Sequence, residues 1–155
     1  MLRTFTIRSE LPVSAEHFWA TQSLAAVNEE LRPLYRMTAP PEILRAPISE
    51  WVKHSIALKS WILFRGFIPV DRHLFGVIEF TAPTAFVETS SSWLNQLWRH
   101  ERTVGKAPSG CEVTDTISFK PRLPPLGFWQ KALYILAFRH RHAMLRSRYV
   151  RAAGG

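Results

Sequence analysis

The sequence predicts an α+β fold built from one antiparallel sheet, two short helices near the N-terminus and one long C-terminal helix. Three observations predict it. Residues 2–9 alternate in polarity as a half-buried strand does. Residues 57–121 break into extended stretches separated only by short turns, which implies an antiparallel meander. After residues 122–127 the apolar spacing changes from 2 to a helical period and holds it to about Val150.

In the first strand Phe5 and Ile7 share a side with Arg3 and Ser9, against Thr4, Thr6 and Arg8. Pro12 and Val13 end it. Ser14 is a good N-cap for a helix, Glu16 suits the helix dipole, and Val13 can staple onto Phe18. A second short helix is expected over residues 24–31. Pro33, Pro40, Pro41 and Pro47 leave residues 32–48 mostly irregular, with room for one short edge strand. Strands are then expected over residues 57–68, turned by Pro69 and Val70, over 71–80, and over 85–90 with a serine-rich loop after it. A hairpin of residues 97–104 and 111–121 closes around Gly105 to Gly110. The long helix spans residues 128–150, with Ile135, Phe138, His142, Leu145 and Tyr149 on one face.

The chain has 155 residues and reads as one domain over 1–151, with 152–155 a disordered tail. A single cysteine, Cys111, excludes an internal disulfide framework. No apolar run has the length of a signal peptide or a membrane span, so a cytoplasmic protein is expected. The net charge is +8, and its location matters. Up to Asp115, twelve basic residues stand against twelve acidic ones, and the remaining eight basic residues follow with no acid among them. That is a basic end on a neutral body, unlike the all-round basicity of a nucleic-acid binder. Nucleic acid is further disfavoured because the strands offer no evident exposed aromatic–basic platform.

A family resemblance rests on Phe86 and Glu88, on Trp98 with His100, and on Gly110, Val113, Asp115, Ile117 and Phe119, with Pro121 following. These residues resemble the bacterial SRPBCC pattern of Phe-x-Asp/Glu, then Trp-x-His, then Gly-x-x-Val-x-Asp-x-Val-x-Tyr. The order of elements is similar to the START-like superfamily, which also includes the Bet v 1-like allergens and the polyketide cyclases. The likeness runs from about Leu2 to Tyr149. It departs at Ser90 to Trp93, where many relatives carry a Gly-Pro pair. The resemblance implies a helix-grip fold: a curved sheet wrapped around the long helix, enclosing a cavity for a lipid, polyketide, sterol or similar molecule. The superfamily has no shared catalytic set, so it transfers no residue role.

If the hairpin turns symmetrically about residues 107 and 108, His100 faces Asp115, on one side with Trp98, Arg102, Val113, Ile117 and Phe119. That side is mostly apolar and so looks inward. A His, an Arg and an Asp there must pair with one another or with a ligand. The patch either fixes one end of a ligand or is a buried ion pair that positions the hairpin. The candidate ligand-binding residues are Trp98, His100, Arg102, Asp115, Ile117, Phe119, Phe138 and His142. His140 and His142 lie roughly 200° apart on the helix and cannot share a metal. With His17, His54 and His73 lacking ligand spacing, no metal site and no cofactor is expected. Cys111 reads as a small hydrophobe.

Three functions follow. The favoured one is a carrier or binding protein for a hydrophobic small molecule. The second is a polyketide cyclase or aromatase, with His100 as acid or base and Arg102 holding an enolate oxygen. The third is docking to an anionic membrane or acidic partner. Trp129, Leu133 and Leu136 lie opposite the packing face, and Arg139, Arg141, Arg146, Arg148 and Arg151 have no acid beside them in sequence.

Overall fold

Side-chain alternation sets the two faces of the sheet. The strand β7 (Gly110–Pro121) buries Cys111, Val113, Asp115, Ile117 and Phe119, while the residues between them stay partly exposed. The other strands are β1 (Arg3–Leu11), β2 (Tyr35–Met37), β3 (Lys59–Phe64), β4 (Ile68–Thr81), β5 (Ala85–Ser92) and β6 (Asn95–Ala107). In the computed structural model, which describes residues 1–51 and 58–153, they form one antiparallel sheet in the order β1-β7-β6-β5-β4-β3-β2. The predicted α+β helix-grip architecture is present.

The helices α1 (Ala15–Ala20) and α2 (Leu24–Leu31) follow β1. Both begin on a serine: Ser14 Oγ accepts from the His17 amide at 3.1 Å and Ser23 Oγ from the Ala26 amide at 3.1 Å. The proline-rich segment holds the expected edge strand, β2, but also α3 (Pro41–Arg45) and α4 (Ile48–Trp51). Proline there opens a helix instead of preventing one, since Pro41 supplies a first-turn position that needs no amide.

The helix α5 (Gly127–Ala153) follows a single 3-10 turn, Pro124–Leu126. It buries Phe138, His142, Leu145 and Tyr149 and half-buries Ile135, as its spacing predicts. Of the expected tail, Ala152 and Ala153 continue this helix and the last two residues lie outside the described residues. His54 and the first residue of the expected 57–68 strand also lie outside them. No helix among the described residues is long and apolar enough to cross a membrane.

Three local expectations are corrected. The β3–β4 turn uses residues 65–67, where Arg65 and Gly66 take left-handed φ values of 52° and 85°. Pro69 instead sits in β4 opposite Leu63, beside a bulge where a missing amide is tolerated. Residues 91 and 92 belong to β5, not to a loop, because Ser92, like Ser90, turns inward and finds a buried partner. Finally, the β6–β7 hairpin turns on Pro108 and Ser109, with Ala107 paired to Gly110. Gly110 has φ +148°, and a Cβ there would lie 2.4 Å from the Leu11 carbonyl oxygen. Arg102, not His100, therefore faces Asp115, and His100 faces Ile117. A slip of two leaves every side chain on its predicted face.

Candidate functional site

Between the concave face of the sheet, α2 and the first half of α5 lies a cavity of about 320 Å³. Leu24 and Val27 line it from α2, Phe75 and Phe86 from the sheet, Ala137 and Phe138 from α5, with Trp19 and Trp51 beside them. Aromatic edges knit the wall: Trp51 meets Phe75 at 5.6 Å and His100 meets Phe138 at 5.5 Å. Leu133, Val70 and Leu94 line the cavity and are also 56%, 41% and 38% exposed. They mark its mouth, between α5 and the ends of β4 and β5.

Beneath this wall runs a buried polar network centred on Asp115. Alternation along β6 sends His100 and Arg102 inward, and along β7 sends Asp115 to meet them. Arg102 donates from Nε and Nη2 to the two Asp115 oxygens, both at 2.6 Å, as a bidentate pair. His100 Nε2 and His142 Nε2 each lie 3.0 Å from the same carboxylate. His142 Nδ1 reaches Ser9 Oγ at 2.9 Å, which also accepts from Arg146 Nη1 at 2.6 Å. From α2, Glu30 accepts from Arg141 Nε at 2.7 Å and stands 3.8 Å from Arg102 Nη1, while Gln22 Oε1 accepts from that same Nη1 at 3.2 Å. A second pair lies on the neighbouring strands, where Glu88 Oε1 takes His73 Nε2 and Ser90 Oγ at 2.5 Å each.

These contacts move the titrations. Burial alone would raise Asp115, but Arg102 and then His100 outweigh it and hold the carboxyl well below its ordinary value. Glu88 is likewise raised by burial and brought below its ordinary value by His73. Burial lowers His100, with Asp115 opposing and Arg141 and Arg102 adding to the shift. Tyr134, half-buried and donated to by Asn95 Nδ2 at 2.8 Å, is pushed up to about 12, chiefly by desolvation. Burial also raises the Cys111 thiol, which packs in the core as expected of a small hydrophobe.

Of the eight predicted ligand-binding residues, Trp98, His100, Arg102 and Phe138 line the cavity. The other four lie behind it. Ile117 and Phe119 pack under α5 with Phe5 and Phe138, because α5 crosses the sheet over β1 and β7. Asp115 and His142 are sealed beneath the same helix, at 0% and 1% exposure. His140 and His142 diverge as expected, His140 reaching the Arg32 carbonyl at 2.6 Å. Among the described residues no group of three or more His, Cys, Asp or Glu is placed to hold a metal.

Several cavity residues were not picked out from the sequence: His73, Glu88, Asp71 and Asn95 on the sheet, Gln130 and Arg141 on α5. Strand alternation could have found His73 and Glu88, since each is two residues from an inward Phe. Arg141 corrects the basic end, because it is buried against Glu30 instead of facing solvent. The acid that neutralises it comes from a helix more than a hundred residues away in sequence.

Solved structures share this architecture at low identity. A START superfamily protein from Mycobacterium smegmatis matches with a TM-score of 0.62 and 10% identity, over 97% of this chain and 98% of that one. A protein from Thermus thermophilus matches at 0.64 and 12%, over 97% and 99%. The di-domain ARO/CYC StfQ from the steffimycin biosynthetic pathway matches at 0.61 and 8%, over 99% of this chain and 52% of that one. A sheet curled around a long C-terminal helix, matched across the chain by such structures, defines a START-like helix-grip fold. The chain belongs to the family described as Domain of unknown function (DUF8410), which it matches over residues 9–149. No curated protein matches it.

Proposed function

We propose that the protein binds a hydrophobic small molecule in its internal cavity, as a carrier or binding protein. The observation that carries this reading is the cavity itself, about 320 Å³ with a largely aromatic and aliphatic wall. Trp51 Nε1, Asn95 Oδ1 and Gln130 Oε1 belong to lining residues and are buried without a partner among the described residues. A donor and two acceptors in that state suit a mostly apolar ligand carrying a few polar atoms. Native mass spectrometry of protein purified from its own host tests it, the expected result being a co-purifying apolar molecule. Protein that carries none, and whose tryptophan emission ignores an apolar probe such as anilinonaphthalene sulfonate, would refute the reading.

A cyclase would need His100 at the substrate and Arg102 on an enolate oxygen. His100 lines the cavity, but Arg102 spends Nε and Nη2 on Asp115 and Nη1 on Gln22. A guanidinium so engaged is poorly placed to hold an oxyanion, which favours binding over catalysis.

A further reading concerns the mouth. Trp129 and Leu136 stand exposed beside Leu133, and Arg139, Arg148 and Arg151 follow on the same helix. An apolar rim with Arg139 beside it and Arg148 and Arg151 further along the helix suits docking on an anionic bilayer, where cargo could pass between lipid and cavity.

A further inference from the structure

The outer face of the sheet carries a feature unrelated to the cavity. Ser60, His73 and Ser92 point inward, so the residues alternating with them point out. Across β3 and β4, Trp61 faces Arg72 and Lys59 faces Leu74, while Leu74 faces Ser91 on β5. Lys59, Arg72, Leu74, Ser91, Trp93 and Arg122 enclose a depression of about 170 Å³.

Three of these residues are cations, and none forms a salt bridge among the described residues. Residues 52–57, which lie outside that description, contain no carboxylate. The acid nearest in sequence, Asp71, faces the cavity, where its Oδ1 accepts from the amides of Arg72 and Leu94. Two of the cations are held in place. The Arg72 guanidinium lies 5.3 Å over the Trp61 ring, and Arg122 Nε donates to the Ser92 carbonyl at 2.9 Å. Arg72 Nε is buried without a hydrogen-bond partner among the described residues. Trp61 and Trp93 meet edge to face at 4.8 Å, leaving Trp93 58% exposed at the rim. An exposed tryptophan and three cations therefore meet on this outer face, with Trp93 and Arg122 just beyond the ends of β5 and β7.

Like charges gathered at one depression repel, and an oxyanion would reverse that penalty. We propose that this depression binds the phosphate of a small phosphomonoester whose flat organic part stacks on Trp93. Arginine forks and a lysine suit a phosphate group, and the exposed indole suits a planar ring. The small volume, about 170 Å³, favours one phosphate over a continuous strand, which would need a long groove.

The test is calorimetric titration of the full chain at low salt with a nucleoside monophosphate, the parent nucleoside and inorganic phosphate. Binding should rank in the order nucleotide, phosphate, nucleoside, and should weaken as salt rises. Lys59→Gln, at an exposed position, should weaken nucleotide binding about tenfold with the melting temperature unchanged. Arg122→Gln should weaken it as much with a slightly lower melting temperature, since its bond to Ser92 is lost. Trp93→Ala should remove the preference for nucleotide over inorganic phosphate. The proposal is overturned if nucleotide and nucleoside bind alike, or if neither binds at about millimolar concentration. It is also overturned if a single-stranded RNA binds about a hundredfold tighter than the monophosphate, which would make this face a nucleic-acid surface.

Discussion

Arg102 and Asp115 face each other across the β6–β7 hairpin and share two N–H···O contacts of 2.6 Å, both side chains almost wholly buried. Asp115→Asn keeps the shape, removes the charge and turns an amide donor toward a guanidinium donor. The remaining countercharge for Arg102 among the described residues is Glu30 at 3.8 Å, already shared with Arg141. We expect a loss of about 3–5 kcal/mol, the range for breaking a buried pair by removing one partner. It is read as a lower urea midpoint at unchanged slope. A change under about 0.5 kcal/mol would mean that Glu30 and Gln22 suffice for Arg102.

Stability should fall in two stages on acidification. His100 has a folded pKa below its ordinary 6.5, so the unfolded chain binds that proton more readily. Stability present above pH 6.5 is therefore lost as the pH drops below it. Asp115 and Glu88 are also depressed, from 3.8 and 4.5, and their contribution is lost only below those values. Melting temperatures from about pH 8 to about pH 3 should show both stages. His100→Gln should remove the upper stage and shrink the lower one, since His100 also helps hold Asp115 and Glu88 down. A single transition below about pH 4 in both proteins would remove His100 from the account.

What the sequence made legible was what local chemistry decides. Serine caps on α1 and α2, and alternation along β7, depend on residues within a few positions of one another. The hairpin register depended on which residues turn, and missing Pro108 and Ser109 shifted it by two. Because strand faces repeat every two residues, Arg102, His100 and Asp115 still converge. Glu30 with Arg141 was out of reach, since nothing local to α2 or α5 encodes their meeting. The Trp61–Trp93 contact was hidden for another reason: the residues after Ser90 read as loop, so the register carrying Trp93 to Arg72 was not available.

Filling the cavity separates binding from folding. Ala137 sits on α5 with its methyl in the cavity wall, between Tyr134 and Phe138. Ala137→Phe places a ring in that space and should abolish quenching of the cavity tryptophans by an apolar probe. Overpacking costs about 1–3 kcal/mol, so the variant should fold with a modestly lower melting temperature. Retained probe binding at wild-type affinity would locate the probe elsewhere on the protein.

The mouth of the cavity makes a separate prediction about membranes. Leu133 lines the cavity and is more than half exposed, and Trp129 and Leu136 are 68% and 61% exposed on the same side of α5. Phe128, itself 65% exposed, meets Trp129 edge to face at 5.8 Å, so the apolar surface exceeds a single side chain. Of the five arginines expected beside it, Arg141 is removed by Glu30 and Arg146 is tied to Ser9. That leaves Arg139, Arg148 and Arg151, each contributing about 1 kcal/mol near an anionic surface. Binding to anionic vesicles should therefore be weak, salt-sensitive and stronger than to neutral vesicles in co-sedimentation. Trp129→Glu should abolish it, because a carboxylate would enter the interface, while Arg141→Gln should change membrane binding little beyond its effect on stability. Equal, negligible binding to both kinds of vesicle would leave the apolar rim without a membrane role.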